Sequence, residues 1–227
     1  MLPRNLIIDC DDTLWENNRY FIEAHKKFVA LMESLGHPRE QADSLLLRLE
    51  MENVSRYGYG AKSQAMSMAD VYRWLSPSPR LEVLGKIEKI GEEVFYHPVS
   101  LLPGVEETVP KLASRYTMIM YTKGNPEEQL GKIEKSPLIK YFHHVKVVPE
   151  KDKDIFRGML EELGLLPGET WMIGDSPRSD ILPAVQNGVR SVFIPFSMTW
   201  QHEHTELPPS EHIITVEHFG NLEKLLL

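Results

Sequence analysis

Apolar residues recur along this chain with two periods, and the change of period divides it. A short run, Leu6-Ile7-Ile8, reads as a buried β-strand. From Phe21 the spacing turns helical: Phe21, Ala24, Phe28, Leu31, Met32 and Leu35 share a face, and Gly36 and Pro38 end the helix. A second helical run covers roughly Glu40 to Arg56, with Leu45, Leu46, Leu49 and Val54 inward. Tyr57-Gly58-Tyr59-Gly60 then makes a sharp loop that presents aromatic rings. Ser67 with Asp70 reads as a capping box that starts a short helix through Leu75. Pro77 and Pro79 interrupt it, and another helix runs from Arg80 to about Phe95. About 80 residues therefore read as helix without a convincing strand.

Alternation of strand and helix resumes near Leu101. Val105 to Ala113 is helical, and Tyr116 to Tyr121 is a strand ending at Thr122. Val145 to Val148, Thr170 to Ile173 and Ser191 to Phe196 read as further strands, and Ile213 to Val216 as a short sixth. Helices near Glu127, from Asp152 to Leu163 and from Ile181 to Asn187 separate them, and Phe219 to Leu226 closes the chain. Such alternation implies an α/β fold: a mostly parallel sheet with helices on both faces. The expected division is a core of residues 1–16 and 98–227, with residues 17–97 as an inserted helical block over the end of the first strand.

Composition narrows the class without naming a function. A chain of 227 residues suffices for one α/β domain carrying a smaller one. One cysteine excludes an internal disulfide framework. No basic leader with an apolar stretch follows Met1, and no apolar run has the length of a membrane helix. A cytoplasmic protein without a membrane partner is the expectation. A net charge of −8 without a basic block argues against a nucleic-acid partner.

The chemistry gathers at predicted strand ends. Asp9, Asp11 and Asp12 follow the first strand directly. Strand geometry puts Asp9 and Asp11 on one side, with Cys10 facing away as a small buried residue. Two carboxylates so placed suit a hard cation such as Mg²⁺. Thr122 and Lys123 end the second strand, Lys151 follows the third, and Gly-Asp-Ser-Pro-Arg-Ser-Asp, with Asp175 and Asp180, follows the fourth. Ligands in such sheets bind beyond the carboxyl ends of strands. His202 and His204 with Glu203 and Glu206 invite a zinc reading, but the segment lacks helical ligand spacing and reads as a solvated polar loop.

Asp9-Cys10-Asp11-Asp12-Thr13-Leu14, Thr122, Lys151 and the Gly174–Asp180 segment together resemble the four motifs of the haloacid dehalogenase-like (HAD) hydrolase superfamily. The resemblance implies a Rossmann-like core with a helical cap between the first and second motifs. It implies Asp9 as nucleophile and Asp11 as acid and then base. Thr122 and Lys151 would bind the phosphoryl group. Asp9, Asp175 and the backbone carbonyl of Asp11 would carry Mg²⁺, and Asp180 would orient a ligand or cap the following helix. Lys153 competes with Lys151, which is favoured by its spacing to Phe156. Asp12 stands where a glycine is commoner. Asp11 argues against dehalogenation, because halide leaves without a proton.

The resulting expectation is a Mg²⁺-dependent phosphatase of a small phosphorylated metabolite, working through an aspartyl-phosphate. A phosphomutase and a non-catalytic metal- or phosphate-binding module are the alternatives. Tyr57, Tyr59 and Lys62 are the cap's candidates for substrate contact. Trp15 lines the pocket or packs beneath the cap. The substrate and the oligomeric state stay open.

Overall fold

The computed structural model describes residues 2–227. Its strands are β1 (Asn5–Ile8), β2 (Thr117–Lys123), β3 (His144–Val148), β4 (Thr170–Gly174), β5 (Arg190–Phe193) and β6 (Ile213–Thr215). They form one sheet in the order β3-β2-β1-β4-β5-β6, and every pairing is parallel. Its helices are α1 (Asn18–Ser34), α2 (Arg39–Tyr57), α3 (Ala61–Leu75), α4 (Leu81–Phe95), α5 (Val105–Ala113), α6 (Pro126–Lys135), α7 (Lys153–Leu163), α8 (Leu182–Gln186) and α9 (Leu222–Leu226). This is a Rossmann-like α/β core with an inserted helical region.

The chain forms two compact units, one of Met1–Asn18 with Val99–Leu227 and one of Arg19–Pro98. In the first, alternation along the central strands builds two hydrophobic layers. Leu6 and Ile8, Met118 and Met120, and Trp171 and Ile173 face α5, α9 and Ile133 of α6. Ile7, Ile119, Tyr121 and Met172 face Phe156, Met159 and Leu160 of α7 and Ala184 of α8. A strand apolar on both faces is buried on both faces, which explains the unbroken Leu-Ile-Ile run. Strand β1 lies between β2 and β4, so the order reverses between β1 and β4. Their carboxyl ends flank the crevice where such sheets bind ligands.

The helical unit gathers its own core from Phe28, Met32, Leu46, Met68, Val71, Ile87 and neighbours. Its third helix starts earlier than the capping-box reading predicts. Helix α3 begins at Ala61, and Ser67 sits inside it, donating its hydroxyl to the Ser63 carbonyl at 3.0 Å. Ser67 also accepts from Asn53 Nδ2 of α2 at 3.1 Å, so the serine serves a buried interhelical bond and not a helix start. The Tyr57–Gly60 turn needs its glycines, with φ of 75° at Gly58 and 118° at Gly60. Among the described residues no helix is long and apolar enough to cross a membrane.

Candidate active site

Asp9 continues the β1 ladder, its N–H donating to the Ile173 carbonyl at 2.9 Å. This holds its buried carboxylate at the sheet's carboxyl edge. Oδ1 accepts from Lys151 Nζ at 2.5 Å, while Oδ2 is buried without a partner. The same ammonium donates to Asp180 Oδ1 at 2.7 Å and lies 4.9 Å from the Tyr121 ring centroid. Lys153 instead opens α7, with Asp152 capping that helix through the N–H groups of Asp154 and Ile155. Asp180 Oδ2 accepts the Ser176 N–H at 3.0 Å, and Asp175 Oδ2 accepts the Thr199 hydroxyl at 2.8 Å.

Asp9, Asp175 and Asp180 are all buried and offer oxygens within 4.8 Å of one another. Burial pushes the Asp9 carboxyl up to about 7, with Lys151 opposing and Asp180 adding to the rise. Burial, then Asp9 and Asp180, also pushes Asp175 well above the carboxylate range. The lysine opposes burial in turn, its charged form favoured by Asp180 and Asp9. One ammonium is bonded to two of the three clustered carboxylates, so the cluster suits a further positive charge. All-oxygen donors and the unpartnered Asp9 Oδ2 fit a hard divalent cation.

Asp11 points into a different set of donors. Lys132 Nζ donates to its two oxygens at 2.7 and 2.6 Å, Gln129 Nε2 to Oδ2 at 2.9 Å and Trp15 Nε1 to Oδ1 at 2.8 Å. Lys132 and Gln129 share one face of α6, three residues apart. Burial alone would raise the Asp11 pKa; Lys132, with the hydrogen bonds of Gln129 and Trp15, outweighs it and holds the carboxyl below its ordinary value. Asp11 here is an ionised acceptor. Neither Lys132 nor Gln129 was marked by the sequence motifs.

Thr122 lies inside β2, one residue short of its end at Lys123, rather than closing the strand. Its hydroxyl is buried and has no partner. Through the β1–β2 register, in which Ile8 pairs with Met120, it stands level with the chain just beyond Asp9. Asp12 adopts a left-handed φ of 62° and accepts main-chain N–H groups of Asn17 and Asn18 at 2.9 to 3.1 Å. Burial raises its pKa to about 7 against these bonds. Gly174 meets a steric need: a Cβ there would collide with the Asp180 carboxylate.

The polar loop around His202–Glu206 is largely solvated as its composition suggests, except at Glu203. Glu203 is buried, and its carboxylate accepts from Lys123 Nζ at 2.7 Å, Ser176 Oγ at 2.6 Å and Ser179 Oγ at 2.5 Å. Gln201, His204, Thr205 and Glu206 keep the exposed character expected of them. Trp15 is fully buried in the core layer facing α5, and its ring reaches the site through its bond to Asp11. Tyr57, Tyr59 and Lys62 belong to the helical unit. Tyr57 ends α2 with its hydroxyl 3.5 Å from Asp70 Oδ2, and Lys62 lies in the first turn of α3. The structure thus joins Asp9, Lys151, Asp175 and Asp180 directly and turns Asp11 towards Lys132.

A family model described as haloacid dehalogenase-like hydrolase matches residues 3–188. The chain belongs to that family. This hydrolase is 27 % identical over 199 residues to the glyceraldehyde 3-phosphate phosphatase of Pyrococcus furiosus, covering 84 % of this chain and 80 % of the relative. It is 20 % identical over 200 residues to the N-acylneuraminate-9-phosphatase of Rattus norvegicus, covering 83 % and 80 %. A haloacid dehalogenase-like family hydrolase from Xanthomonas campestris has the same fold, with a TM-score of 0.85, 29 % identity and coverage of 100 % and 96 %. The aspartate cluster suits the phosphoryl-transfer chemistry of this family.

Proposed function

We propose that this hydrolase is a Mg²⁺-dependent phosphomonoesterase that acts on a small phosphorylated metabolite through an aspartyl-phosphate. The observation that carries the reading is Asp9, with one oxygen fixed by Lys151 and the other buried and unpartnered. A carboxylate held in this way is oriented for attack. Asp9 Oδ2 attacks phosphorus, the bond to the leaving oxygen breaks, and Asp11 gives that oxygen a proton. Water then attacks the aspartyl-phosphate, Asp11 takes the water's proton, and Asp9 is released with inorganic phosphate. The ionised Asp11 seen here is the form that serves the second step; a dianionic phosphoryl group nearby favours the protonated form that serves the first.

Thr122 donates its hydroxyl to a phosphoryl oxygen, which gives its buried Oγ1 a partner. Lys151 balances the charge on Asp9 and on the phosphoryl group. Asp9, Asp175 and the Asp11 main-chain carbonyl are the proposed cation ligands, with Asp180 orienting them through Lys151 and Ser176. Mg²⁺ bound there would neutralise the nucleophile and the phosphoryl oxygens. Tyr57, Tyr59 and Lys62 are the proposed substrate contacts of the helical unit. The two phosphatases named above act on small phosphorylated molecules, which supports the substrate class.

Phosphate release from a panel of small phosphomonoesters tests the reading, run with Mg²⁺, with EDTA, and with Asp9→Asn. Release that needs Mg²⁺ and vanishes in Asp9→Asn is expected. Label transfer between positions of a sugar phosphate without net release would mark a mutase and overturn the hydrolase reading. Turnover that persists in Asp9→Asn would overturn the nucleophile.

A further inference from the structure

Strands β2 and β4 flank β1 in the sheet, and Glu203 ties their carboxyl ends together. From the β2 side comes Lys123, whose ammonium donates to Glu203 Oε1 at 2.7 Å and to Ser179 Oγ at 2.9 Å. From the β4 side come Ser176 and Ser179, whose hydroxyls both reach Glu203 Oε2. Ser176 is engaged three ways. Its N–H holds Asp180 Oδ2, its hydroxyl accepts the Ser179 N–H at 2.9 Å, and that hydroxyl donates to Glu203. The turn it opens, Pro177–Ile181, is π-helical, a rare conformation that recurs at functional sites.

The segment carrying Glu203 returns to the site repeatedly. The Met198 carbonyl accepts from Asn18 Nδ2, the Thr199 hydroxyl donates to Asp175, and Arg178 Nη1 donates to the His202 carbonyl at 3.3 Å. Glu203 also shares a charge. Lys123 is bonded to Ser179, one residue from Asp180. That ammonium also lies 3.4 Å from Glu150 Oε1, so it keeps a carboxylate partner when Glu203 is neutral.

We propose that Glu203 is a positioning residue for cation binding: it fixes the Ser176–Ser179 turn that joins Asp175 to Asp180. The proposal rests on the reading of that cluster as the cation site. Residues that orient ligands from outside the coordination sphere commonly set affinity by about 10–100-fold.

The test uses the full chain and Mn²⁺ alone, an oxygen-seeking cation whose free form is counted by electron paramagnetic resonance. Wild type, Glu203→Gln, Lys123→Met and the double variant are titrated, and circular dichroism checks that each is folded. Glu203→Gln should weaken Mn²⁺ binding by about tenfold. Lys123→Met leaves both serine bonds to Glu203 in place and should weaken binding less than Glu203→Gln, and the double variant should match Glu203→Gln, because the turn loses its carboxylate in both. Glu203→Asp keeps a charge for Lys123 but is one methylene shorter, and should fall between wild type and Glu203→Gln; it carries the comparison if Glu203→Gln does not fold. Unchanged binding in Glu203→Gln, or Lys123→Met weakening binding as much as Glu203→Gln, would overturn the proposal while leaving the cation site intact. No binding by wild type would overturn the cation reading itself, and the proposal with it.

Discussion

Replacing Lys132 by methionine tests whether the cradle around Asp11 is the ion pair it looks like. Lys132 is 4 % exposed at its side chain and Asp11 18 %, with the ammonium bonded to both carboxylate oxygens. Methionine fills much of the lysine's volume but leaves a charged carboxylate with only the Gln129 and Trp15 donors. Removing one partner of a buried pair costs about 3–5 kcal/mol, and the partial exposure of Asp11 places the expected loss near the lower end, about 3 kcal/mol. For a chain of this size that corresponds to a fall in Tm of roughly 6–12 °C at neutral pH. The folded pKa of Asp11 lies below 3.8, so its stabilisation is complete above that value and is lost as pH falls through the folded pKa. The deficit of Lys132→Met should therefore shrink in acid. Lys132→Met with Asp11→Asn removes both charges and should regain part of the loss. Thermal melts of the wild type and the two variants at two pH values decide the matter. A single variant within about 1 kcal/mol of wild type, or a double variant no better than the single, would refute the reasoning, since only a surface pair is worth so little.

Other expectations follow from the same geometry. Thr122→Val deletes a buried hydroxyl that bonds nothing here, so melts should show no loss of stability, while kcat/KM for a phosphomonoester falls roughly 10–100-fold from one lost charge-assisted bond. Equal retention of activity would remove Thr122 from the phosphoryl site. Gly174→Ala forces a methyl against the Asp180 carboxylate and should cost about 1–3 kcal/mol in chemical denaturation. Burial opposes ionisation of Glu203, but Lys123 and the two serines hold its pKa at about 2 against an ordinary 4.5. Its stabilisation, about 3 kcal/mol, is complete above 4.5 and fades as pH drops towards 2. Glu203→Gln should flatten the acid limb of the unfolding profile, and an unchanged limb would count against the buried ion pair.

What the sequence made legible was whatever followed from local period and from position at a strand end. Leu6-Ile7-Ile8 reads as a strand because both of its faces are covered, and Asp9 is conspicuous because it follows at once. Lys151 could be preferred to Lys153 from its spacing to Phe156, and the structure places its ammonium on Asp9. Lys132 and Gln129 were hidden for the opposite reason. They look like ordinary polar positions of an exposed helix, and only packing of α6 brings them to Asp11, more than 100 residues earlier in the chain. Glu203 was misread because a loop has no period, and a charged residue between two histidines resembles surface. Ser67 was misread because its spacing to Asp70 imitates a cap, while the preceding turn of α3 starts on alanine and lysine, which carry no start signal.

The central place of β1 also bears on how the chain comes off the ribosome. Asn5 pairs with Thr117 on one side and Thr170 on the other, so the strand leading into Asp9 is made before both of its neighbours and must wait for them. Residues Arg19–Pro98 have all their core partners among themselves and can close into a folded body in the meantime. During that interval an apolar strand with two open edges is exposed in the nascent polypeptide, the condition that invites wrong pairing. The short length of β1, four residues, limits how much edge it offers before its partners are made.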